Sequence, residues 1–204
     1  MPEDWEVVKL GEVADSFIGG GTPSTDVNEY WFGDIHWTTS KNIDSLYLLC
    51  GEKKITEKGL RESSTHLIPK YNLIIGTRVG VGKVAINKVD IAISQDLTGV
   101  FIDKEKYSLE YLAFLIYTDK VQNYFKECTR GTTIKGIPRD DLKKLSLQIP
   151  PLPVQQKIAS ILSAIDAKIE AEENRKKALD DLFKSLLHNL MTAKIRVNQM
   201  EVVA

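Results

Sequence analysis

From Ile158 onward, apolar positions recur in alternating steps of four and three: Ile158, Leu162, Ile165, Ile169, Glu172, Lys176, Leu179, Phe183, Leu186 and Leu190. Eight of these ten seam positions are apolar. A heptad stripe sustained this long predicts a coiled-coil helix that packs on another helix, because a lone helix would leave the stripe in water. A helix of ~35 residues rising ~1.5 Å per residue extends on the order of 50 Å, enough to hold two globular bodies apart. The proline-rich stretch Ile149-Pro150-Pro151-Leu152-Pro153 marks a hinge just before it.

The two polar seam positions, Glu172 and Lys176, flank the midpoint of the stripe. In a parallel homodimer each would face its own copy. In an antiparallel pair Glu172 faces Lys176 of the second copy twice. The other layers then become Ile158 with Leu190, Leu162 with Leu186, Ile165 with Phe183, and Ile169 with Leu179. Like charges in a seam are costly and opposite ones set register, so the pattern points to an antiparallel homodimer. The alternative is a pair within one helix at i,i+4 spacing, worth a few tenths of a kcal/mol.

Residues 1–152 read as one mixed α/β domain, followed by the long helix at 153–192 and a C-terminal tail at 193–204. Trp5–Leu10 predicts a strand-like start, with a short helical turn over Gly11–Phe17. Ile35–Thr38 reads as a short strand, and Thr56 caps a helix running to Ser64. Strands are predicted at Asn72–Ile75, Lys83–Ile86, Ile91–Ser94, Val100–Ile102 and Leu145–Ile149, punctuated by glycines. Leu109–Cys128 reads as one amphipathic helix with Leu112, Leu115, Ile116 and Tyr124 inward, stopped at Gly131. Pro138 opens a further short helix with Asp140 and Asp141 in its first turn.

Length and composition add bounds. The chain has 204 residues, 43% hydrophobic and 27% charged, which suits one globular domain plus an extended element. No run approaches the ~18 apolar residues of a membrane span, and the N-terminus lacks the apolar core of a secretory signal. Cys50 and Cys128 stand outside any paired spacing, so they are expected as buried thiols in a reducing compartment, the cytoplasm. Net charge is −1 but unevenly spread. Residues 1–52 carry two lysines against ten acids, and residues 53–88 carry eight basic residues against two acids. Such segregation lets one face meet phosphates while the chain stays near neutral.

Catalytic patterns are weak. Gly76–Lys83 lacks the first glycine of a phosphate loop, and Val84 stands where its magnesium-binding hydroxyl belongs. It reads instead as a glycine-rich hairpin projecting Arg78 and Lys83. His36, His66 and His188 share no metal spacing, and Asp140, Asp141 and Lys143 are more simply a helix start than a nuclease cluster. No metal site and no catalytic residue is assigned.

Several segments, in order, resemble the specificity subunits of type I restriction-modification systems. They are Trp5 through Leu10-Gly11-Glu12, Gly19-Gly20-Gly21-Thr22-Pro23-Ser24, Ile35-His36-Trp37, Gly82-Lys83 and Ile93-Ser94-Gln95-Asp96-Leu97-Thr98-Gly99. The most specific is Gly131-Thr132-Thr133-Ile134-Lys135-Gly136-Ile137, leading to the proline hinge, Gln155-Gln156-Lys157-Ile158 and the heptad helix. Two departures stand out: Val154 replaces the family's usual acidic residue, and typical members carry two recognition domains and two long helices.

The resemblance implies that residues 1–152 form a DNA target-recognition domain reading one half of a bipartite double-stranded target. A chain with one domain and one helix is then expected to pair with itself or with another half, and the antiparallel seam points to the first. It also implies that the long helix docks adenine methyltransferase subunits and that a restriction translocase subunit joins them. S-adenosylmethionine, ATP and magnesium would belong to those partners, leaving this chain non-catalytic and without a cofactor. Candidate DNA contacts are Thr38, Thr39, Ser40, Lys41, Asn42, Arg78, Lys83, Gln95, Thr132, Thr133 and Lys135. Two other classes stay open: a coiled-coil adaptor whose heads bind protein, and a metal-dependent nuclease centred on Asp140.

Overall fold

The computed structural model describes residues 4–131 and 136–196. It divides into two compact units, Met1–Ala159 and Ser160–Ala204. As the sequence predicts, a mixed α/β domain precedes one long C-terminal helix.

The first unit opens with β1 (Glu6–Lys9), the helical turn α1 (Leu10–Val13) and β2 (Ala14–Gly19). The helical turn expected through Phe17 therefore stops at Val13. Ala14–Gly19 instead extends because β10 offers it an antiparallel ladder, Thr98 opposite Gly19 through Phe101 opposite Ser16, with a bulge before Ile102 opposite Ala14. Next come β3 (Trp31–Thr38), β4 (Tyr47–Leu48), β5 (Lys53–Ile55), α2 (Glu57–Arg61) and β6 (His66–Ile68). Thr56 caps α2 by accepting from the Gly59 amide at 3.1 Å, but the helix ends at Arg61 rather than Ser64.

The core strands are β7 (Leu73–Gly76), β8 (Val84–Asn87), β9 (Ile91–Ile93) and β10 (Leu97–Ile102). A five-stranded sheet has the order β2-β10-β7-β8-β4, and a four-stranded sheet has the order β5-β3-β9-β6. The central strands β7 and β8 of the five-stranded sheet are buried on both faces. Leu73, Ile75, Val84 and Ile86 pack with the helices, while Ile74 and Ala85 pack with Ile68, Ile91 and Ile93 of the other sheet. Double-sided burial explains why these strands read as unbroken apolar runs. Fully buried Asn87 ties the end of β8 down. Its Nδ2 donates to the carbonyls of Ile68, Pro69 and Val89, and its Oδ1 accepts from the Asn72 amide.

The predicted Leu109–Cys128 helix is two helices, α3 (Leu109–Ile116) and α4 (Asp119–Cys128). Thr118 sits in extended backbone between them and breaks the rod; its side chain does not cap α4 but donates to the Leu115 carbonyl of α3 at 2.7 Å. The unit closes with α5 (Arg139–Lys143) and β11 (Ser146–Ile149), which pairs antiparallel with β1.

The long helix α6 (Leu152–Met191) is rooted in this unit by Gln155. That side chain is 1% exposed. Its Oε1 accepts from the Ser108 amide at 2.9 Å, and its Nε2 donates to the Pro150 carbonyl at 2.8 Å and the Lys106 carbonyl at 3.4 Å. Ala159 is buried in the main core and Ile158 packs against it. Ile158, expected in the dimer seam, thus spends its side chain on the domain's own core. The first seam position consistent with a free stripe is Leu162.

Candidate nucleic-acid interface

Four loops at the ends of β2, β3, β7 and β9 are tied into one surface. The turn Ser40–Asn42 follows β3 and is capped by Thr39, whose Oγ1 accepts from the Lys41 amide at 3.3 Å and donates to Glu52 at 2.7 Å. Asn42 donates to the Cys50 carbonyl at 3.1 Å. Between β7 and β8 the chain turns through Gly80 and Gly82, at φ +70° and +87°, a region that suits glycine. Lys83 then reaches back from this hairpin, and its Nζ donates to the Ser40 carbonyl at 3.1 Å. The other side of the hairpin is fixed to the β9–β10 connection. There the Thr77 and Arg78 amides both donate to the Asp96 carbonyl, at 2.8 and 3.3 Å. The neighbouring Gln95 accepts from the Thr22 hydroxyl, which brings in the glycine-rich loop after β2. At Gly20 a Cβ would lie 2.0 Å from the Ile93 carbonyl, so only glycine lets that loop close on β9.

Residues far apart in sequence therefore converge: Thr39, Lys41, Asn42, Arg78, Lys83 and Gln95. Lys41, Arg78 and Gln95 are exposed, and the other three are half-buried. Burial pushes the Asp96 carboxyl above its ordinary range, and the charges of Arg78 and Lys41 pull it part of the way back. The site thus holds one reluctant carboxylate beside two cations.

Two candidates do not reach this surface. Thr38 and Ser40 are 0% and 1% exposed: β3 is buried on both faces at its end, where Trp37 is also buried, and Ser40 is the buried residue of the turn itself. Their contribution is positional, the Ser40 carbonyl holding Lys83. Thr132, Thr133 and Lys135 lie outside the described residues. Nearby, the Ile137 amide donates to the Thr77 carbonyl at 2.9 Å, which sets the Gly136–Ile137 segment against the Arg78 hairpin. Cys50, expected as buried, is exposed, and Cys128 is half-buried; both are free thiols.

Thr22, Glu52 and Asp96 were not singled out as interface residues by sequence reasoning. Their signals were present only as contacts across strand order, which no spacing rule reveals. Phe32 was missed too. Trp31 and Ile35 both pair with Ile55, so residues 32–34 bulge out of β3. Phe32 lies there at φ +64° with 91% of its surface exposed. Left-handed backbone costs a bulky residue on the order of 1–3 kcal/mol. It rims an open groove of about 830 Å³, lined by Trp31, His36, Cys50, Lys53 and Lys54 among others.

The second unit offers a different surface. Leu162, Ile165, Ile169, Leu179 and Phe183 are exposed along the helix, with Phe183 at 66%. Glu172 is also exposed and faces Arg175 at 3.9 Å rather than Lys176, an i,i+3 contact of little energy at the surface. Among the described residues, no three His, Cys, Asp or Glu side chains gather to hold a metal ion, and no helix is long and apolar enough to cross a membrane.

Comparison with known proteins gives a consistent picture. A family described as the type I restriction modification DNA specificity domain matches residues 2–181. The specificity subunit of the type I restriction enzyme MjaIX from Methanocaldococcus jannaschii is 34% identical over 192 residues, covering 93% of this chain and 44% of that protein. A second protein of that organism, a putative type I restriction enzyme MjaX specificity subunit, is 28% identical over 97% of this chain and 45% of its own length. Among solved structures, the type I S subunit from M. genitalium superposes with a TM-score of 0.67 at 16% identity, covering 93% of this chain and 46% of that one. The HsdS subunit from Thermoanaerobacter tengcongensis gives 0.64 at 19% identity, over 93% and 45%. At such identities the two structures speak for the fold alone. The chain spans less than half the length of the relatives it matches.

Proposed function

This chain belongs to the type I restriction modification DNA specificity family, and from that premise we propose that its α/β unit reads one half of a bipartite DNA target. The observation that carries this reading is the convergence of four loops into one polar, cation-bearing surface. Lys41 and Arg78 face phosphates, a sequence-independent and salt-dependent source of affinity. Gln95, Asn42 and Thr39 offer the donor and acceptor groups that discriminate base edges.

The apolar stripe of α6 pairs antiparallel with a second copy, from Leu162 onward, with Glu172 facing Lys176 across the seam. Two recognition units related by a twofold axis then read an inverted repeat, and the paired helices set the spacing between its halves. The same helices dock adenine methyltransferase subunits, and a restriction translocase subunit completes the assembly. S-adenosylmethionine, ATP and magnesium act in those partners. This chain supplies recognition without catalysis, in the cytoplasm.

The test is fluorescence anisotropy of the purified chain on duplex DNA over a salt series. Binding should weaken steeply with salt, and Arg78→Ala with Lys41→Ala should reduce the log–log slope by roughly one for each phosphate no longer neutralised. Absence of salt-sensitive binding, or an unchanged slope in the double variant, would instead favour the protein-binding adaptor.

A further inference from the structure

We propose that Phe32 and the groove it rims form a stacking subsite of the DNA interface, the ring wedging against a base at one opened step of the target. This inference rests on the DNA-reading function proposed above.

Phe32 is held in place rather than left loose. On one side of the bulge, the Trp31 indole donates to the Ser24 carbonyl at 3.0 Å and packs edge-on against Trp37 at 5.4 Å. Trp37 in turn donates to the Gly21 carbonyl at 3.1 Å. On the other side, Gly33 lies so close to β5 that a Cβ would sit 2.3 Å from the Ile55 carbonyl. A rigid frame thus presents an almost fully exposed ring in a backbone conformation that the ring itself disfavours. Phe32 belongs to none of the apolar clusters of the fold, so packing does not account for it.

The surroundings select the occupant. The groove beside Phe32 is aromatic and cationic: Trp31, His36, Lys53 and Lys54 line it. Lys53 lies 5.2 Å from the Trp31 ring centre, and neither lysine is ion-paired among the described residues. Two carboxylates are close by. Glu52 lines the groove and accepts the Thr39 hydroxyl, while Asp34 is exposed in the bulge. Aromatic rings interleaved with lysines fit bases and phosphates, since every base has a face to stack and the backbone supplies the anion.

The groove is also continuous with the polar cluster. Glu52 bonds Thr39, and the Cys50 carbonyl, at the groove wall, accepts from Asn42. Phe32 stands near the start of β3, and Thr39, Lys41 and Asn42 follow its end, with the groove lining bonded to Thr39 and Asn42 through Glu52 and Cys50.

The experiment uses the full chain and a duplex carrying its target motif, with 2-aminopurine placed at successive positions of one half-site. Phe32→Asn removes the ring and tolerates the left-handed backbone, whereas Phe32→Trp keeps a stacking face. For the native chain, one position should brighten on binding as its step opens. Phe32→Asn should abolish that signal and weaken affinity about tenfold at an unchanged salt slope, and Phe32→Trp should retain both. The thermal midpoint of Phe32→Asn should equal or exceed the native value, an outcome that a structural role for the ring forbids. Native binding and brightening in Phe32→Asn would overturn the subsite while leaving the DNA-reading function standing. Normal DNA binding with loss of a co-purifying methyltransferase subunit would also overturn it, making Phe32 a protein-docking residue. If the native chain binds no duplex, both readings fall together.

Discussion

Replacing Gln155 by Met isolates what fastens the first turn of α6 to the α/β unit. Met matches the side chain in length and flexibility, so packing is kept and the three hydrogen bonds are removed. Of these, the bond to the Pro150 carbonyl is fully buried, and leaving that acceptor unpaired costs about 1–3 kcal/mol. The Ser108 amide is partly buried, and leaving it unpaired adds about 1 kcal/mol. The bond to Lys106 is long at 3.4 Å and adds little. The expected destabilisation is therefore roughly 2–4 kcal/mol, a drop in Tm on the order of 10 °C for a unit of this size. Urea unfolding at fixed protein concentration measures it. All three tryptophans, Trp5, Trp31 and Trp37, lie within Met1–Ala159 and report on that unit. The dissociation constant of the proposed dimer should be unchanged, because the exposed stripe begins beyond Gln155. A destabilisation below about 0.5 kcal/mol would refute the claim that these bonds anchor the helix root.

Other perturbations test separate parts of the structure. Lys176→Glu should weaken dimerisation in analytical ultracentrifugation, and adding Glu172→Lys should restore it; indifference to the single change would exclude the antiparallel seam. Asn87→Leu should destabilise the domain by roughly 3 kcal/mol or more in the same urea assay, since it strands several buried carbonyls and an amide. Asp96→Asn carries a pH signature. The folded carboxyl titrates above its ordinary 3.8, so ionisation opposes folding, and native stability falls as pH rises through that raised value. The Tm gain of the Asn variant should therefore be absent below pH 3.8 and emerge on approach to neutrality. Removing a carboxylate beside Arg78 and Lys41 should also tighten DNA binding, roughly two- to fivefold at low salt.

The parts of this fold that were legible in sequence are those whose burial follows a single rule. The heptad stripe of α6 needs only its own periodicity, and β7 and β8 need only their unbroken apolar runs. Where the rule is relational, the reading slips. Ala14–Gly19 is half-exposed and becomes a strand because β10 lies beside it. The Lys53–Ile55 strand is polar on its exposed side and gains its identity from β3. The break at Thr118 is a matter of its extended backbone, which the apolar period on either side concealed. The same distinction governs the interface. Glycines, threonines and lysines marked loops that the fold does bring together, whereas the burial of Thr38 and Ser40 depends on how β3 ends. Phe32 carries no sequence signal, because its exposure comes from a bulge set by pairing with Ile55.

The most direct test of the central claim is a map of methylated adenines across the host genome, with and without this gene. The expected result is that deletion erases methylation at one bipartite motif, an inverted repeat if two copies of this chain read it. Loss of an asymmetric motif would contradict self-pairing, and an unchanged methylation map would contradict the specificity function itself.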